Sequence, residues 1–174
     1  GLNDIPVPES LLQEIDWNTI YGNAKKQTVV GIAFDGIRKL PNDRIPKGEL
    51  FLKWFGQSRI IEKQNTTIND CIKEIADKYR KELFDVVLLK GQGLAQYYPV
   101  PAHRQPGDID LYFFNDYDKA NNTAANWEGV EFLPDTSYHR AFFYKGIEVE
   151  NHLVYVDFYN NRNRKAWKDI EKKI

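Results

Sequence analysis

Hydrophobic positions along the chain follow two periods, and the change from one to the other falls near residue 84. Before it the spacing is helical. Residues 1–9, with two prolines, read as an extended lead-in. Ser10 suits a helix N-cap with Gln13 three positions on, and Leu11, Leu12, Ile15, Ile20 and Tyr21 predict a helix over about 10–24. Residues 28–40 place Val29, Ile32, Ala33, Ile37 and Leu40 on one helical face, against the preference of Gly31 and Gly36. Turn chemistry at 41–43 and 46–48 then separates this segment from a long helical pattern over 47–83. Its stripes are Leu50, Phe51, Trp54, Phe55, Ile60 and Ile61, then Ile68, Cys71, Ile72, Ile75, Ala76 and Tyr79, with Gly56 a candidate break. The charged residues between them read as a solvated face.

After residue 84 short apolar runs alternate with turn residues. Phe84–Leu89 reads as a buried strand, 92–98 as a short helix, 99–106 as a proline-fixed loop and 108–114 as a second strand. In that strand Ile109, Leu111 and Phe113 share one face, and Asp108, Asp110 and Tyr112 the other. A helix over 116–127, a short strand at 131–133, and a hairpin of 138–144 with 147–158 around Lys145-Gly146 follow. Residues 163–174 suit a terminal helix. A helical segment, 1–83, preceding a small mixed α+β core, 84–174, is therefore expected as one folded unit with no internal repeat.

Composition narrows the function. The 174 residues carry a net charge of −1, so no basic field covers the molecule and broad nucleic-acid binding is not expected. The one cysteine, Cys71, lies at an apolar position of a helical pattern and reads as a buried, inert thiol. No apolar run reaches the length of a membrane span, and no signal peptide is visible, so a cytoplasmic location is expected. Gly1 in place of Met reads as a processing or cloning scar.

The candidate chemistry is concentrated in residues 86–114 and 147–153. Asp108 and Asp110, one residue apart on a strand, point to one face. Glu148, Glu150 and His152 share a face of the second hairpin strand, so either glutamate is placed to join the aspartates if the strands are neighbours. Clustered carboxylates repel, and a divalent cation removes that repulsion. Oxygen ligands favour Mg²⁺ or Mn²⁺ over Zn²⁺. Two such ions about 3.5–4 Å apart stabilise both the attacking and the leaving oxygen of a phosphoryl displacement. The turn Gly91-Gln92-Gly93, feeding a short helix, suits an anion, and Lys90 and Arg104 add charge there. Arg104 serves equally as a salt-bridge partner of the acidic cluster. His152 is open between a structural hydrogen bond, orienting a carboxylate and meeting a phosphate, whereas His103 and His139 read as loop residues.

Taken together, Leu88-Leu89-Lys90-Gly91-x-Gly93-Leu94-Ala95, Arg104-x-x-Gly107-Asp108-Ile109-Asp110-Leu111 and Val149-Glu150-Asn151-His152 resemble the DNA polymerase beta-like nucleotidyltransferase superfamily. The closer resemblance is to the uncharacterised bacterial nucleotidyltransferase family with LLKG, DIDL and VELH motifs. It implies an α+β nucleotidyltransferase fold in which Gly91 and Gly93 hold a nucleoside triphosphate, Asp108 and Asp110 bind two Mg²⁺, and Glu150 completes the metal site. Two departures are visible: Gln92 stands where the superfamily turn has a second Gly or a Ser, and Asn151 stands where the motif has Leu. The implied reaction moves a nucleoside monophosphate from a triphosphate to a hydroxyl, and the near-neutral net charge favours a small-molecule or protein acceptor. The competing expectations are a nucleotide-binding regulatory or toxin–antitoxin module without turnover, and a metal-dependent phosphohydrolase.

Overall fold

A computed structural model of the chain describes residues 5–134, 136, 138–156, 163 and 165–167. The chain divides into two units: Gly1–Lys78 with Lys90–Ile109, and Tyr79–Leu89 with Asp110–Ile174.

The first unit is helical. Its first helix, α1, spans Trp17–Lys26 and starts later than the apolar spacing predicts. Residues Glu9–Leu12 form only a 3-10 turn, and Glu14 has a positive φ of 54°, which ends any continuous helix from Ser10. Asp16 is the cap instead: its carboxylate accepts from the N–H groups of Asn18 and Thr19 at 3.0 and 3.2 Å. The second helix, α2, spans Val30–Ile37 and buries Val30, Phe34 and Ile37, a face rotated from the expected one. Gly31 accounts for the rotation. A Cβ there would stand 2.3 Å from the carbonyl oxygen of His103, so only glycine lets the 3-10 turn Pro101–His103 lie against this face.

The third helix, α3, runs unbroken over Gly48–Lys81 and passes straight through Gly56, where a break was expected. An isolated glycine costs a helix about 1 kcal/mol relative to alanine, too little to interrupt a helix anchored by burial on both sides. Its buried stripe is Trp54, Ser58, Ile61, Asn65, Ile68, Cys71, Ile75 and Tyr79, at steps of three and four residues. Phe55 and Ile60, which the spacing placed inside, are 48% and 51% exposed. Polar Ser58 and Asn65 take those inward positions. Ala24, Val30, Phe34, Ile37, Trp54 and Ile61 form the core of this unit.

The second unit carries a five-stranded mixed sheet. Its strands are β1 (Val87–Leu88), β2 (Ile109–Tyr112), β3 (Glu131–Phe132), β4 (His139–Tyr144) and β5 (Ile147–His152), in the order β1-β2-β5-β4-β3. β1 is shorter than the apolar run that predicts it. It pairs antiparallel with β2, Leu88 opposite Leu111, and Leu89 N–H extends the ladder to the Asp110 carbonyl at 3.0 Å. β4 and β5 form the expected antiparallel hairpin around Lys145-Gly146, with both φ values positive as a two-residue hairpin turn needs. β5 ends at His152, short of the expected residue 158: residues 153–156 are not strand, and 157–158 lie outside the described residues, as does most of the terminal helix expected over 163–174. A four-residue helix, α4 (Gln92–Ala95), follows β1 in the chain, and α5 (Tyr117–Ala124) follows β2.

Rings fill the core of the second unit. Tyr79 meets Phe113 and Trp127 at centroid distances of 4.6 Å and Phe84 at 5.4 Å. Burial pushes the Tyr79 hydroxyl well above its ordinary pKa, so it stays protonated. It accepts a hydrogen bond from Nδ2 of Asn151 at 3.1 Å, and the same amide donates to Oδ1 of Asn121 at 2.9 Å.

Replacing Gly31 with alanine is expected to destabilise the protein by about 1–3 kcal/mol, because the methyl group and the His103 carbonyl cannot share one place. Denaturant unfolding measures it; an unchanged midpoint contradicts the close approach.

Candidate active site

Strand alternation positions the central side chains. On β5, Val149 and Asn151 point into the aromatic core and are fully buried, so Glu150 and His152 point to the other face. β5 lies beside β2 in the sheet, and there its imidazole meets Asp110. His152 Nε2 stands 2.8 Å from Oδ1 of Asp110 and 3.1 Å from Oε2 of Glu150. The Asp110 side chain is 1% exposed, a carboxylate removed from water that needs a donor or a cation beside it. From β4, His139 Nε2 reaches Oε1 of Glu150 at 3.5 Å. His139 lies in β4, inside the strand expected over 138–144, and faces this cluster rather than serving as a loop residue; its contact with Glu150 was not visible in the spacing. Its partner Glu150 lies across a hairpin, opposite Ala141.

Asp108 immediately precedes β2, two residues from Asp110. Glu148, the alternative third carboxylate, sits opposite Phe143, one step of two along β5 from Glu150.

The turn after β1 belongs to the first unit. Gly91 has φ 53°, a conformation that side chains rarely adopt, and a Cβ there would lie 3.5 Å from the Asp108 carbonyl. Gly93 donates its N–H to the Lys90 carbonyl at 2.9 Å and so closes the turn. Gln92, the departure from the superfamily pattern, ties this turn to α3: its Nε2 lies 3.0 Å from Oδ1 of Asn65 and 2.8 Å from Oδ1 of Asn69. Asn65 in turn donates to the carbonyls of Ala102 and Arg104, both at 2.8 Å. The Arg104 guanidinium donates to the Gln105 carbonyl at 3.2 Å. Lys90 is exposed.

Over residues 13–173 the chain matches the family described as uncharacterised nucleotidyltransferase. The chain belongs to that family. No curated protein and no solved structure matches it. Family membership makes it a transferase of the nucleotidyl class, with a nucleoside triphosphate as the implied substrate. The mixed sheet with its helices is consistent with the nucleotidyltransferase fold expected from the sequence. Among the described residues no helix is long and apolar enough to cross a membrane.

His103 also departs from expectation. It is buried in the first unit, with Nδ1 2.7 Å from Oδ1 of Asp35 and Nε2 2.8 Å from Oε1 of Glu62. Both contacts are hydrogen bonds only when both ring nitrogens carry a proton. The imidazole thus clamps the 3-10 turn to α2 and α3. The three residues are far apart in sequence, which hid them from any motif.

That clamp predicts a pH dependence. The hydrogen bond from His103, helped by the neighbouring charges of Arg59 and His103, lowers the pKa of Glu62 against the opposing effect of burial. A lowered folded-state pKa gives stability that is fully present above the ordinary value of 4.5 and is lost as pH falls through the folded value. Thermal melts from neutral to acid pH should therefore fall more steeply below 4.5 in the parent than in Glu62→Gln. Parallel curves would contradict the clamp.

Proposed function

We propose that the chain transfers a nucleoside monophosphate from a nucleoside triphosphate to a hydroxyl group, releasing pyrophosphate. The observation that carries this reading is the convergence of Asp110 and Glu150, from neighbouring strands, on one imidazole nitrogen at 2.8 and 3.1 Å in a chain of nucleotidyltransferase family. The order of motifs also fits the DNA polymerase beta-like superfamily: Lys90-Gly91-x-Gly93 after a strand, then Gly107-Asp108-x-Asp110, then Glu150 on the hairpin.

The donor chemistry suits a hard divalent cation. Asp108, Asp110 and Glu150 offer carboxylate oxygens, the ligands that Mg²⁺ and Mn²⁺ prefer. These three residues would hold one or two such ions, which when bound offset phosphate charge and favour ionisation of the acceptor hydroxyl. Lys90 and Arg104 would supply positive charge to the triphosphate, and the turn at Gly91 and Gly93 would let phosphate approach the backbone. Gln92 would hold the turn in place through Asn65 and Asn69 rather than touch phosphate. Glu150 would take the proton of the attacking hydroxyl, with His152 positioned to share it. The acceptor oxygen forms a bond to the α-phosphorus as the bond to the pyrophosphate oxygen breaks. The chain's net charge of −1 favours a small-molecule or protein acceptor over long nucleic acid.

The test is incubation with each radiolabelled triphosphate, Mg²⁺ or Mn²⁺ and a cell extract, beside Asp108→Ala/Asp110→Ala. Label transfer with pyrophosphate release is expected, falling by about 100-fold or more in the double variant. Nucleotide binding without transfer or pyrophosphate would overturn the reading in favour of a binding module. Release of phosphate without label transfer would favour hydrolysis.

A further inference from the structure

Glu150 has a second neighbour that the proposed reaction does not use. His139 and His152 are directly opposed residues of β4 and β5, with ring centroids 5.4 Å apart. Both aim Nε2 at Glu150, His139 at one carboxylate oxygen and His152 at the other. The ligand atoms of His139, Glu150 and His152 all lie within 4.8 Å of one another. Ala141, between His139 and the hairpin turn on β4 and opposite Glu150, contributes only a methyl group. The backbone beneath is fixed. Thr136 Oγ1 bonds both the N–H and the carbonyl of His139, and Leu153 N–H continues the hairpin ladder to Tyr138 at 2.9 Å.

We propose that His139, His152 and Glu150, with Asp110 as a fourth donor, form a binding site for one nitrogen-preferring divalent transition ion such as Zn²⁺. Two imidazoles and carboxylate oxygens are ligands of borderline ions, whereas Mg²⁺ demands oxygen and retains its waters. The spacing agrees. Ligands about 2.0–2.1 Å from a tetrahedral Zn²⁺ stand about 3.3 Å from one another. The donor pairs here stand 2.8 Å (His152 to Asp110), 3.1 Å (His152 to Glu150) and 3.5 Å (His139 to Glu150) apart. Binding replaces the contacts that His152 Nε2 makes with the two carboxylates, and that nitrogen is unprotonated when the ion is bound. All four side chains belong to the second unit, and the site does not depend on nucleotidyl transfer. It does share Asp110 and Glu150 with the carboxylates assigned above to a hard cation, so the two ions compete for them.

Metal-free full-length protein is titrated with Zn²⁺ and with Mg²⁺ by calorimetry, and with Co²⁺ by visible absorption, beside His139→Ala and His139→Gln. One Zn²⁺ is expected to bind at least about 100-fold more tightly than Mg²⁺. Each variant is expected to weaken Zn²⁺ by about tenfold or more while leaving Mg²⁺ affinity unchanged. Co²⁺ is expected to give the intense visible bands of four-coordinate geometry in the parent and to lose them in the variants. Circular dichroism of the metal-free variants establishes that they are folded, and should His139→Ala unfold, His139→Gln carries the comparison. Equal Zn²⁺ affinity in parent and variant, or Zn²⁺ no tighter than Mg²⁺, overturns the site. The readout is binding alone. Failed label transfer with this site intact sinks only the proposed reaction, and the converse result sinks only the site.

Discussion

A carboxylate cannot be removed from water alone, and the placement of Asp110 at the centre of a sheet sets the terms for the strands around it. β2 is buried along its whole length, so Asp110 has no route to solvent along its own strand. Its relief comes from β5, the neighbour in the sheet, through His152. Because side chains alternate, a slip of β5 by one residue would carry Glu150 and His152 into the aromatic core and Asn151 out of it. The register is fixed from both faces at once. On one, His152 bridges two carboxylates; on the other, Asn151 satisfies Tyr79 and Asn121. Removing either partner takes a hydrogen bond from a buried polar group, at a cost of about 1–3 kcal/mol for a neutral group and more for a charge.

The first unit uses the same physics for a different purpose. Two of its buried polar residues, Asn65 and His103, do not stabilise a strand register but hold irregular backbone in place. Asn65 gathers the carbonyl of Ala102 in the 3-10 turn, the carbonyl of Arg104 just after it, and the side chain of Gln92. His103 clamps that turn between Asp35 and Glu62. A loop rich in proline donates few hydrogen bonds of its own, so side chains from the helices supply them. The unusual Gln92 has its structural account here, as a tether of the glycine turn.

Local chemistry was legible in the sequence; long-range pairing was not. The hairpin at Lys145-Gly146 was readable because turn geometry and strand alternation are both written within a dozen residues. The long helix was readable from its apolar stripe, yet two of its inward positions, Ser58 and Asn65, are polar and broke the pattern, so Phe55 and Ile60 were drawn inside in their place. The first helix was misplaced because a strong side-chain cap at Asp16 outweighed the weaker signal at Ser10. Of the candidate site, Asp110, Glu150 and His152 are brought together, whereas His139 and the pair formed by His103 with its carboxylates were invisible. Their partners are 11 to 68 positions away in the chain, and nothing in local spacing announces a contact of that kind.

The central claim is that Asp110 and Glu150 act as metal-binding carboxylates of a nucleotidyl-transfer site. The most direct measurement is anomalous diffraction from crystals grown with Mn²⁺ and a non-hydrolysable nucleoside triphosphate. The account predicts an anomalous peak within bonding distance of the Asp110 and Glu150 oxygens, with phosphate density beside it. Nucleotide bound elsewhere on the chain, with no manganese at these two carboxylates, would contradict it.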